Sequence, residues 1–86
     1  MRKLNAWDDP KREKVLRKKH RQILDALVYA TKKKNLSLSK VSSAAGLSSR
    51  TFESAVENGL ISMDTTILLA DYLDMEIVLQ EKDSDV

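Results

Sequence analysis

The chain has no cysteine, one proline, one histidine and two glycines among its 86 residues. Without cysteine there is no disulfide framework and no thiolate metal site. A single histidine excludes relay chemistry, and His20 has no ligand partners at metal spacing. Two isolated glycines make no Gly-rich phosphate loop. No pair of carboxylates flanks a cleft; Asp64, Asp71 and Asp74 read as helix-surface and cap residues. The expectation is a protein that is not an enzyme, with no cofactor, no metal and no catalytic residue. No apolar run approaches the roughly 18 residues that span a bilayer, and the basic start lacks a signal peptide's apolar stretch. A cytoplasmic protein without membrane contact is therefore expected.

What is present begins with charge. The net charge is only +2, yet residues 1–34 hold twelve Lys/Arg against four Asp/Glu. Residues 35–86 hold three against nine, so a basic region precedes an acidic one. Such asymmetry fits a basic segment that meets a polyanion, or a solvated basic helix on an ordinary protein. One domain is expected at this length, with a core marginal for a lone monomer. Dimerisation would add buried area.

Along the chain, residues 1–9 read as a flexible arm containing Trp7. Asp9-Pro10 reads as an N-cap followed by proline at the first helical position, where a missing N–H costs nothing. A long basic first helix then runs over 10–34. Leu16, His20, Ile23, Leu24, Leu27 and Val28 share one stripe of it. Lys32, Lys33 and Lys34 suit the negative end of the helix dipole; the cations of the first half have no such explanation. A short helix follows from Ser37 or Ser39 to Ala45, with Leu38, Val41, Ser42 and Ala45 inward. Gly46 supplies a left-handed turn, Leu47 an apolar plug, and Ser48 a cap for a helix from Ser49 to Glu57. Phe52, Ala55 and Val56 line its inner side; Ser49, Arg50, Glu53 and Ser54 face out. Asn58-Gly59 ends it. Ser62 caps a helix over Met63–Leu73 with Met63, Ile67, Ala70 and Leu73 inward. Met75–Gln80 then alternates as a strand does, continuation of the preceding helix being the rival reading. Residues 81–86 form a charged tail.

Helix, glycine, apolar plug, capping serine and a second helix with a polar outer side are the parts of a helix-turn-helix. At LSLSKVSSAAGLSSRTFESAVENG (36–59) and SMDTTILLADYLDMEIVLQ (62–80) the sequence resembles the lambda-repressor-like domains of the Cro/phage-repressor, or xenobiotic-response-element, family. Its strand-ended form is similar to antitoxins of toxin–antitoxin modules. The resemblance covers about 60 residues. It implies an all-α, lambda-repressor-like helix-turn-helix bundle of four to five helices with a short C-terminal β-strand paired across a dimer; with the long first helix, the expected DNA-binding domain spans 10–80.

The resemblance implies base contacts from Ser48, Ser49, Arg50 and Ser54, with Thr51 and Ser37 at phosphates. Leu38 stands where the family often has glutamine, so Lys18, Lys19 and Arg21 of the basic helix are expected to hold phosphates instead. Met75, Ile77, Val78 and Leu79 form the expected dimer interface. Each role has a plainer rival. Arg50 can pair with Glu53 or Asp64 on the surface, serines can merely solubilise a helix, and His20 fits packing better than a contact. The implied function is a sequence-specific transcriptional repressor that binds double-stranded DNA as a homodimer on a pseudo-palindromic operator. An antitoxin that binds a toxin protein and represses its own operon is the alternative.

Overall fold

The structure, a computed structural model, describes residues 9–79. Four helices account for most of them: α1 (Pro10–Lys33), α2 (Leu38–Ala44), α3 (Thr51–Asn58) and α4 (Met63–Tyr72). Among the described residues there is no strand, and no helix is long and apolar enough to cross a membrane. The expected arm, Trp7, Gln80 and the tail lie outside the described residues, apart from Asp9.

Local chemistry sets the helix starts. Asp9 is the N-cap of α1; its carboxylate accepts the Lys11 N–H at 3.0 Å, and Pro10 takes the first position. Ser37 caps α2 by accepting from the Lys40 N–H at 3.2 Å, and Ser62 caps α4 through the Thr65 N–H at 3.1 Å. Each side chain satisfies a donor that the first helical turn leaves without an internal partner.

All four helix ends share one device. Asn35, Gly46, Gly59 and Asp74 each take positive φ (60°, 90°, 71° and 60°) just past α1, α2, α3 and α4. The next residue then reaches back five positions: Leu36 N–H to Thr31 C=O, Leu47 N–H to Ser42 C=O, Leu60 N–H to Ala55 C=O, and Met75 N–H to Ala70 C=O. This is the Schellman arrangement, and at α1, α2 and α4 its apolar contact is present as well, since Leu36, Leu47 and Met75 pack on the core. The bond at Met75 closes α4, so the helix does not run on into residues 75–79.

The core is small and draws on every helix. Leu24 and Leu27 from α1, Val41 from α2, Phe52 and Ala55 from α3, Ile61 from the α3–α4 linker, and Leu69, Ala70 and Leu73 are buried together. Each large side chain here contributes about 1.5–3 kcal/mol by leaving water. The helix α2 packs against α1, α3 and α4, and α1 also packs on α4. All buried residues of α1 lie in its second half.

Several expectations shift. On α4 the buried stripe is Thr66, Leu69, Ala70 and Leu73, while Met63 and Ile67 are exposed, as is Ile23 on α1. Four apolar residues in a row, Ile67–Ala70, make two stripes nearly equal by pattern. Thr31 and Thr66 are buried because their hydroxyls donate to carbonyls four residues back, at Leu27 and Ser62, both at 2.8 Å. His20 does more than pack. Its Nδ1 accepts the Ile61 N–H at 3.0 Å and ties α1 to the α3–α4 linker. The expected strand does not form within one chain. Residues 75–79 have no ladder partner among the described residues.

Candidate nucleic-acid interface

The connection between α2 and α3 is built around Ser42. This serine is fully buried; its hydroxyl donates to the Ser48 carbonyl and accepts the Phe52 N–H at 3.4 Å. One hydroxyl therefore holds the turn from one side and caps α3 from the other. Burial of a hydroxyl costs free energy unless both roles are filled, and here they are. Gly46 provides the positive φ that reverses the chain, and Leu47 anchors it to the core.

Because Ser42 supplies the cap, the expected local cap is displaced. The N-cap of α3 is Arg50, which makes no side-chain capping bond, and the helix begins at Thr51 rather than Ser49. The Ser48 hydroxyl instead accepts the Arg50 N–H at 3.4 Å, and Thr51 N–H bonds the Ser48 carbonyl at 3.0 Å. Ser48, Ser49 and Arg50 thus form a turn that leads into α3 rather than its first turn.

That turn and the outer side of α3 form one polar surface. Ser48, Ser49, Arg50, Glu53 and Ser54 are all exposed, and Thr51 is half-buried. Arg50 and Ser54 stand one turn apart, joined by the Ser54 N–H to the Arg50 carbonyl at 2.9 Å. Among the described residues Arg50 pairs with neither Glu53 nor Asp64. Its guanidinium keeps five donors in a planar fork for an outside acceptor. Phe52 and Ala55 fix the inner side of the helix, so the outer side cannot rotate away.

The cations divide into separate places. Lys18 is exposed on α1. Lys19 stands at the edge of an apolar groove between α1 and α4. Arg21 lies at the far end of α3: a Cβ added to Gly59 would meet its Nη2 at 3.3 Å. There it faces the negative end of the helix dipole, which gives it a structural role. The eight residues of α3 put it roughly 12 Å along the axis from Arg50. Ser37 is exposed at the start of α2, and its hydroxyl hydrogen is not used by the capping bond it accepts. Earlier on α1, Arg17 pairs with Glu13 at 2.8 Å and Arg12 with Asp9 at 3.7 Å. These are exposed pairs worth little to stability.

Two structural residues of the site escaped sequence reading. The sequence places Ser42 only on the inward face of the short helix, and Arg21 only at a phosphate. A spacing of ten residues from Ser42 to Phe52 carries no local signal. Comparison with known proteins found no matching family model, no matching curated protein and no matching solved structure.

Proposed function

We propose that this chain is a sequence-specific DNA-binding repressor that presents α3 to the major groove as a helix-turn-helix and acts as a homodimer. The observation that carries the reading is the outer surface Ser48–Ser54. A buried hydroxyl and two core residues hold it rigid, yet its own polar groups are exposed. A polar helix face of this width fits the major groove, where each base pair presents a distinct set of donors and acceptors. Arg50 offers a bidentate fork to guanine O6 and N7, with Ser49 and Ser54 beside it. Ser37, Lys18 and the helix-start donors near Thr51 are the phosphate contacts that set register without reading sequence. The charge asymmetry supports the same partner, since a basic segment raises encounter rates with a polyanion.

A homodimer repeats the reading helix about two-fold symmetry, so the site should be a pseudo-palindrome with half-site centres about 34 Å apart. Selection of bound duplexes from a random pool tests this. Enrichment of two inverted half-sites at one-turn spacing is the expected result. A selected pool as random as the input would overturn sequence-specific binding.

A further inference from the structure

The reading helix α3 is short and is held at both ends by other parts of the chain. Its eight residues make about two turns, too few to stand without tertiary support. Phe52 and Ala55 pack it on the core, and the Ser42 hydroxyl accepts the Phe52 N–H at its start. Its last turn is different, since Glu57 and Asn58 are exposed. The N–H groups of Gly59 and Leu60 both return to the Ala55 carbonyl, which closes the helix but fastens it to no other element. Two neighbouring side chains of α1 do that. His20 Nδ1 accepts the Ile61 N–H at 3.0 Å, across 41 residues of sequence. The Arg21 guanidinium lies over Gly59, 3.3 Å from where a Cβ would stand.

We propose that His20 is a positioning residue for sequence reading: by holding the linker at Ile61, it fixes the angle at which α3 presents Arg50 and Ser54 to base edges. Ile61 is buried, so its N–H depends on an acceptor inside the protein. Without the imidazole nitrogen that N–H finds a partner only by moving out to water, and the linker carries the end of α3 with it. Base-reading contacts tolerate roughly 0.5 Å or 10–20° of misplacement. A helix loose at one end therefore loses discrimination before it loses its fold. The role needs an acceptor atom at the Nδ1 position. That separates it from a phosphate contact, which needs charge, and from packing, which needs bulk.

This inference rests on the proposal that α3 reads bases, so the test on the full chain has one arm with DNA and one without. His20→Leu removes the acceptor but keeps bulk at a half-buried position, so the core is left intact. His20→Asn sets an amide oxygen at the place of Nδ1. Affinities for the selected duplex and for a random one are compared at a temperature where circular dichroism shows every chain folded. Their ratio should fall about fivefold in His20→Leu and stay within about twofold of wild type in His20→Asn. Without DNA, amide exchange at Gly59, Leu60 and Ile61 should quicken at least about tenfold in His20→Leu, relative to amides of α2, and far less in His20→Asn. Wild-type chain that binds both duplexes equally overturns base reading by α3 and this inference with it. Discrimination kept in full by His20→Leu overturns the positioning role alone. So does unaltered exchange at residues 59–61, or a His20→Asn chain as indiscriminate as His20→Leu.

Discussion

The surface formed by Ser48–Ser54 and the groove between α1 and α4 flank the same small core, but their relations to water are opposite. On the first, exposed side chains are serines, an arginine and a glutamate, which water satisfies at no cost until a partner replaces it. On the second, Ile23, Met63, Ile77 and Leu79 lose free energy for as long as they stay wet. A polar surface held rigid from below suits selective, hydrogen-bonded recognition. An apolar one suits lasting association. The contrast teaches that exposure alone says little about function in a chain of this size; what each surface lacks in isolation says more.

The largest expected effect comes from removing what the two surfaces share. Phe52 is fully buried beneath α3, and Phe52→Ala should destabilise the fold by about 3–5 kcal/mol through lost burial and a cavity. Urea denaturation followed by circular dichroism measures it. Both DNA binding and self-association should weaken, because neither surface keeps its support. An unaltered midpoint would contradict a core centred on Phe52.

Ser42→Ala sharpens the comparison by acting on one side only. It leaves the Phe52 N–H and the Ser48 carbonyl without their partner, at a cost of about 1–3 kcal/mol. At temperatures where the variant stays folded, DNA affinity should fall while the dimer Kd measured without DNA holds. Equal loss in both assays would show that Ser42 serves the whole fold rather than the α2–α3 connection.

Gly46→Ala is the smallest structural change. An added Cβ meets nothing within 4 Å, so the penalty is purely conformational, from φ of +90°. About 1–2 kcal/mol is expected, with Gly46→Asn milder because asparagine tolerates the left-handed region. Thermal melts of the two variants check the order. Alanine as stable as wild type would contradict the strained turn.

The parts of this fold legible in the sequence are those decided within a few residues. Asp9-Pro10, Ser37 and Ser62 announced helix starts because a cap acts on donors two or three positions ahead. Gly46 and Gly59 announce helix ends because the left-handed region favours few residue types. Asn35 does the same at the end of α1 and was passed over between two helices. The start of α3 was misplaced by two residues because its cap comes from Ser42, across the turn. The choice between Met63/Ile67 and Thr66/Leu69 on α4 was beyond pattern, since a threonine counts as polar until its hydroxyl finds a carbonyl four residues back. Of the candidate interface, the outward set Ser49, Arg50, Glu53 and Ser54 followed from the inward Phe52 and Ala55 alone. The position of Arg21 over Gly59 and the groove beside Lys19 depend on contacts between distant segments, and no spacing encodes them.

The most direct test of the central claim compares Arg50→Ala with Lys18→Ala on a selected duplex and on duplexes substituted one base pair at a time. Titrations at fixed salt should show Arg50→Ala losing about 1–3 kcal/mol on the selected site, with preference relaxed at one base pair in each half-site. Lys18→Ala removes one phosphate contact from each subunit of the dimer, so it should weaken all duplexes by a similar factor and reduce the salt slope by about 1.8. If Arg50→Ala lowers affinity for every duplex equally and leaves all base preferences intact, Arg50 holds a phosphate and the Ser48–Ser54 surface does not read sequence through it.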